Sequence, residues 1–245
     1  MMKREWIGGV GLTCLIAALF FPVVAVGQPV EIGWVVNGSG EESGTITTDL
    51  DWDVIMANPD TTYSWILQSQ PGYTPIEIDL GGGHIAYIDG IEIGIKGDPF
   101  IDFGFAARSL NGDTHFSFTS QVLNVNPAII NAEASAWATA TPGFGTTILS
   151  GDFGGDVYRA EYNGGTVFAD LITAPISTYF GEAAPSAPIA GTVSSMQVQW
   201  GLTVSSGGQA TGSSHFEITG DVIPEPATIA LLGLGGLALI RKRRA

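Results

Sequence analysis

The imidazoles are the first residues to ask for chemistry. Three histidines, His84, His115 and His215, occur in the chain. Their separations match no compact metal motif, whose ligands sit a few residues apart. His115 and His215 each precede a phenylalanine, so a repeated structural role is expected of them, such as a hydrogen bond to a neighbouring strand. Carboxylates are abundant. Asp49, Asp51 and Asp53 alternate with Leu50, Trp52 and Val54, which on a strand would set three carboxylates in one row opposite an apolar face. A solvated row needs no partner. A calcium site would need further oxygen ligands and a wrapping loop, and the glycine and distal glutamate of an EF-hand loop are missing. Gly151 to Asp156 reads as an Asp/Gly turn that could offer carboxylates to a metal. Gly81-Gly82-Gly83 lacks the Lys-Ser/Thr pair of a phosphate cradle and reads as a turn. No Gly-x-Ser-x-Gly elbow is present. Carboxylate pairs suited to glycan hydrolysis stand roughly 5 to 9 Å apart, and a chain this acidic supplies candidate pairs trivially. The expectation is no catalytic residue, no metal and no cofactor, hence not an enzyme.

Aromatic residues bear on binding instead. Trp34, Trp52, Trp65, Trp137 and Trp200 lie in the body of the chain. Each is either a core anchor, the common fate of tryptophan in alternating strands, or a flat surface for a sugar ring.

The elements that must position these residues read as strands almost throughout. Val30 to Val36, Tyr63 to Gln68, Ile76 to Leu80, His84 to Ile95, Val157 to Tyr162, Thr166 to Ile172, Thr192 to Val204 and Phe216 to Val222 are the clearest. Ile129 to Thr141 is rich in alanine, which favours helix, but its alternation against Ser135, Trp137 and Thr139 favours a strand. Asp89-Gly90, Asn111-Gly112, Asn163-Gly164-Gly165 and the Gly/Ser stretch Ser205 to Ser214 signal hairpins. Ala174 to Pro188 reads as a surface loop or edge segment. Gly112 to Ser120 echoes Gly212 to Gly220 in Gly, His, Phe and Thr, at a separation of 100 positions. Phe103-Gly104-Phe105 and Trp200-Gly201-Leu202 precede the two copies. The fold class expected is all-β, a two-layer antiparallel β-sandwich of jelly-roll type. An N-terminal signal helix and a C-terminal hydrophobic helix are expected to flank it.

Both ends differ from this body. Lys3 and Arg4 precede an apolar run from Ile7 to Val26, and Ala25-Val26-Gly27 offers small residues to a signal peptidase. Cleavage is expected after Gly27, so residues 1–27 are read as a signal peptide and 28–221 as the β body. Cys14, the single cysteine, falls in the discarded part, and the exported body has no disulfide or thiolate site. At the other end stand Pro224-Glu225-Pro226, an uncharged run to Ile240, and the cations Arg241, Lys242, Arg243 and Arg244. The run from Ala227 has 14 residues, short of the roughly 20 that span a bilayer comfortably. A short segment can still cross if basic side chains snorkel and the bilayer thins. The flanking cations predict a body on the far side of the membrane.

This three-part tail, residues 222–245, resembles the PEP-CTERM sorting signal of surface proteins of Gram-negative bacteria. The resemblance implies an exosortase-like membrane protease as partner. It also implies export across the inner membrane with a transient C-terminal anchor, then delivery to the cell surface or extracellular matrix. It implies nothing about an activity in the body. Asp98-Pro99-Phe100 with the following Phe-Gly-Phe and Phe-x-Phe strands is similar to a pattern in other exported proteins with this tail.

Between residues 28 and 226 only Lys96, Arg108 and Arg159 oppose 23 carboxylates, a net charge of −20. Such a surface repels nucleic acid and anionic lipid, and attracts divalent cations and cationic polymers. The expected function is an acidic, surface-sorted matrix protein of structural or adhesive type. The alternative is a carbohydrate-binding module, with exopolysaccharide as its partner.

Overall fold

The computed structural model describes residues 28–222 except residue 144. Its strands, in chain order, begin with β1 (Pro29–Asn37), β2 (Glu41–Asp51), β3 (Thr62–Ile66), β4 (Ile76–Asp79) and β5 (Ile85–Lys96). They continue with β6 (Phe100–Ser109), β7 (Thr114–Ser120), β8 (Leu123–Pro142), β9 (Ile148–Gly151) and β10 (Asp156–Tyr162). The last four are β11 (Thr166–Thr173), β12 (Phe180–Pro188), β13 (Val193–Val204) and β14 (Gln209–Val222). One short helix, α1 (Trp52–Ala57), stands between β2 and β3.

Alternation explains the strands. Side chains two apart share a face, and β6 buries Ile101, Phe103, Phe105 and Ala107 while the intervening residues point away. β7 does the same with Phe116 and Phe118. The alanine-rich stretch is a strand, since Ala132, Ala134, Ala136, Ala138 and Ala140 of β8 are all buried. Pairing on both edges outweighs alanine's helix propensity there.

All fourteen strands belong to one sheet, paired antiparallel in the order β2-β1-β7-β13-β8-β14-β6-β5-β3. The others branch from this path: β4 on β5, β9 and β10 on β13, β11 on β10, and β12 on β8. The two ends of the path, β2 and β3, come into contact beside α1, so the sheet curls into a near-closed barrel. β8 makes the closure possible. Its first residues pair with β13, Leu123 opposite Met196 and Ile129 opposite Val193. Its remainder runs between β14 and β12. The change of partner coincides with Asn131, which adopts a left-handed φ of 51°, a conformation asparagine tolerates better than most residues.

The expected two-layer sandwich is therefore corrected to a single barrel-like sheet. Alternation reports which face of a strand is buried. It does not report that one long strand will bridge what would have been two layers. The expected transmembrane helix is not found among the described residues either. Among the described residues no helix is long and apolar enough to cross a membrane, and α1 has six residues. The signal helix read in residues 1–27 and the hydrophobic segment read in 227–240 lie outside the described residues.

Three local expectations also change. The Asp49-Asp51-Asp53 row does not form on a strand, because the chain leaves β2 at Asp51 and enters α1. Asp51 caps that helix, its Oδ1 accepting from the N–H of Asp53 at 2.9 Å and of Val54 at 3.2 Å. Asp89-Gly90 is a bulge inside a continuous β5, not a turn. Asn111-Gly112 and Ser205–Gly208 are corners, not hairpins. β6 and β7 do not pair with each other; β6 pairs with β14, Gly104 opposite Ser213, and β7 with β13, Ser117 opposite Gly201. The echoed segments thus exchange partners. The two corners dock: Ser109 N–H donates to Gly208 O at 2.8 Å, Gly112 N–H to Ser206 Oγ at 2.8 Å, and Ser206 N–H to Asp113 Oδ1 at 2.9 Å. The echo is not exact, because Gly104 lies opposite the residue two before His215 and Gly201 opposite the residue two after His115.

Aromatic rings from the exchanged strands fill the centre. Phe105 lies 5.0 Å from Phe118 and 5.1 Å from Trp200, and Tyr158 lies 5.1 Å from Trp200, centroid to centroid. Gly212 is required beneath Phe105, since a Cβ there would come within 2.2 Å of the ring. The Tyr158 hydroxyl is fully buried and makes no hydrogen bond among the described residues. Ser214 lies near it, but its Oγ is engaged by Trp200 Nε1 at 3.2 Å and by the Phe103 carbonyl at 3.3 Å. Burial pushes the phenol far above its ordinary range.

An unpaired buried hydroxyl costs about 1–3 kcal/mol. Tyr158→Phe should therefore leave stability unchanged or raise it by about 1 kcal/mol, read by urea unfolding. Asp51→Ala should lose about 1 kcal/mol as a cap, whereas Asp49→Ala should stay within about 0.5 kcal/mol. Equal losses from the two aspartates would contradict the capping role.

Candidate functional site

Strands β12, β8, β14, β6 and β5 lie side by side, and directly opposed residues project from the same face. Register therefore builds an outer face row by row. One row is Ala183, Trp137, His215, Asp102 and Gly94. The next is Gly181, Thr139, Ser213, Gly104 and Glu92. On the other side run Ser135, Glu217, Phe100 and Lys96.

Trp137 is 42% exposed, whereas Trp52, Trp65 and Trp200 are buried. The alanines of β8 take the inner face, which forces Trp137 outward. Its ring stacks on His215 at 6.0 Å and an interplanar angle of 14°. His215 in turn lies 5.3 Å from Phe100. His215 Nδ1 meets Asp102 Oδ1 at 2.6 Å, and Nε2 stands 3.7 Å from Glu217 Oε2. Tyr179, 65% exposed, precedes β12. Its hydroxyl bends over the same face, 3.2 Å from where a Cβ on Gly181 would sit. Starting from the next row of the same face is a shallow depression of about 150 Å³, lined by Gly104, Ser213, Glu92, Gln68 and Gly90 rather than by the rings themselves.

The hydrogen bond to Asp102 raises the His215 pKa, partial burial opposes it, and the charges of Asp102 and Glu217 add to the rise. The second ring nitrogen faces Glu217, so two carboxylates flank the imidazole and orient it. The site offers a fixed aromatic platform, a low floor and a surround of carboxylates.

The other histidines lie elsewhere. His84 is buried; it accepts the Ser39 N–H at Nδ1 (3.1 Å) and donates from Nε2 to Thr114 Oγ1 (2.8 Å). Thr114 passes the chain to Ser109 Oγ, and Ser109 to the Gly112 carbonyl. This relay ties the 110–113 corner to the turn after β1. His115 Nε2 is 3.2 Å from Asp152 Oδ2, and Nδ1 is 3.5 Å from Thr203 Oγ1. Among the described residues no three His, Cys, Asp or Glu side chains gather to hold a metal.

Sequence reasoning singled out His215 and Trp137 separately and missed Asp102. The usable signal was parity: buried Ala134, Ala136 and Ala138 place Trp137 outside. The pairing of β14 with β6 across more than a hundred residues had no local signal. Pro224, Glu225, Pro226, Arg241, Lys242, Arg243 and Arg244 lie outside the described residues. Asp221 and Val222 are still paired, with Ile130 and Ile129, so only Ile223 separates the sheet from Pro224.

Body and tail together define an all-β protein with a C-terminal sorting motif. Residues 222–244 match the PEP-CTERM protein-sorting motif family, so the motif is present and the chain is a secreted type of β protein that bears it. No curated protein matches the chain.

A raised folded pKa means protonated His215 stabilises the fold below its unfolded pKa near 6.5, and this is lost as pH rises through the folded value. Wild type should exceed His215→Gln in stability at mildly acidic pH, with the gap closing as pH rises above neutral. Parallel unfolding midpoints across that window would contradict the Asp102 pairing.

Proposed function

We propose that the protein is an exported, surface-sorted component of the extracellular matrix, structural or adhesive rather than enzymatic. The single observation that supports this most is the sorting motif, which begins at the last residue of β14. In this reading signal peptidase removes residues 1–27, and an exosortase-like protease acts at Pro224-Glu225-Pro226 and discards the cationic end. The body reaches the cell surface with a net charge of −20 over residues 28–226. That charge favours solubility and disfavours nucleic acid as a partner. Without cysteine, the body relies on its packed aromatic core. Exopolysaccharide is the matrix partner this reading calls for.

Intact mass in the native host tests the reading. Wild-type protein should appear at the surface or in the medium shortened at both ends. Replacing Pro224, Glu225 and Pro226 by alanine should leave the tail attached and the protein held in the cell envelope. Surface protein that keeps both residues 1–27 and the tail would overturn the proposal.

A further inference from the structure

We infer that the outer face around Trp137 binds a cationic polysaccharide, a chain of amino sugars whose amines remain free. The inference rests on the matrix reading only for where such a polymer would be met.

Two exposed rings, Trp137 and Tyr179, share this face, while three other tryptophans are buried. The Trp137 ring is held on one side by His215, which Asp102 fixes in turn. A ring already oriented loses little freedom when a ligand stacks on it. The apolar C–H face of a pyranose is flat and matches such a ring. Neighbouring strands are about 4.8 Å apart, close to the length of one sugar unit, so successive units would meet successive strands. One row on from Trp137, Gly104 and Ser213 line the neighbouring depression and leave the surface low there.

Charge selects the amino sugar. Asp102, Glu217 and Glu92 project around the platform, and Asp102 and Glu217 are 46% and 40% exposed at their side chains. The three cations of residues 28–226 are already engaged: Lys96 with Asp98 at 3.5 Å, Arg108 with Asp89 at 3.0 Å, and Arg159 with Asp170 at 2.7 Å. Among the described residues, the carboxylates around Trp137 therefore meet positive charge from His215 and, at the edge of the face, Lys96. Ammonium groups along a sugar chain supply more of that charge, and they also gain from proximity to the aromatic faces. An anionic polymer would be repelled by the same groups. A lysine-rich peptide would satisfy the charge but would need neither the ring nor the low floor.

Calorimetric titration of the full-length protein with a hexamer of glucosamine, at mildly acidic pH where its amines are protonated, tests this. Binding is expected, and Trp137→Ala should weaken it at least about tenfold. Gly104→Val should do likewise by raising the floor; the Cβ it adds meets Glu92 Cβ and the Gly212 carbonyl at 3.6 Å, ordinary contacts. The N-acetylated hexamer, which lacks the charge, should bind at least about tenfold more weakly than the free amine. Oligolysine should be insensitive to both variants. Absence of glucosamine-hexamer binding, or equal binding by wild type, Trp137→Ala and Gly104→Val as judged folded by their melting curves, would overturn the inference. Oligolysine responding to the variants as the sugar does would overturn it in favour of a peptide partner. Because the measurement uses purified protein, a negative result removes the ligand and leaves the sorting proposal standing.

Discussion

Strands β6 and β7 are consecutive, yet instead of each other they take partners roughly a hundred residues away, β14 and β13. This exchange constrains everything else. Two short corners join the strands so exchanged, and they dock on each other through Ser109, Gly112, Ser206 and Gly208. The buried His84-Thr114-Ser109 relay braces one corner from behind. Contacts of this sequence separation carry a large loop-closure cost before they give any stabilisation. The aromatic cluster of Phe105, Phe118, Trp200 and Tyr158 forms only when the exchanged strands meet, so the closure cost and the core that offsets it are coupled.

The outer face is a by-product of the same register. β14 pairs along nearly its whole length with β8 on one side, and over Gln209 to Glu217 with β6 on the other. That places His215 between Trp137 and Asp102. A one-residue slip of β14 would turn Phe216 outward and His215 into the core, because side-chain direction alternates. The core's demand for Phe216 and Ile218 thus fixes the aromatic and acidic row outside.

Strand identity was legible because period-two alternation is a local property. It identified β1, β10, β11, β13 and the end of β14 from Phe216, and it correctly preferred a strand at Ala134 to Ala140, whereas Gln209 to Ser214, which open β14, read as part of a loop. Turn chemistry was legible where the turn joins paired strands, as at Asn163-Gly164-Gly165 between β10 and β11. It misled at Asn111-Gly112, because the same residues serve a corner between strands that do not pair. At Asp51 the alternation of aspartates with apolar residues hid a helix cap: Trp52 and Ile55 are buried at helical spacing, a pattern four residues long and too short to outweigh the strand signal. Closure into one barrel was not legible at all. It depends on β8 changing partners near Asn131, which is decided by contacts with β13 and β14, not by β8 itself. Of the outer face, Trp137 was visible from parity, and its tie to His215 and Asp102 only from pairing.

The geometry also separates the sorted end from the face. Val222, the last paired residue, is seven residues from His215 along β14, or roughly 24 Å in an extended strand. The start of the body is tied to the region where β14 ends: Trp52 N–H donates to Gln28 O, Trp52 Nε1 to Asn124 O, and Ile129 of the same β8 faces Val222. Gln28 and Val222, the two ends of the described body, therefore both lie near residues 121–130, while Trp137 and Tyr179 lie further along β8 and beside β12. Trimming at either end need not alter the aromatic row, and a polymer held on that row need not wait for trimming. On the proposed reading, sorting and polymer recognition draw on determinants that the sheet keeps apart.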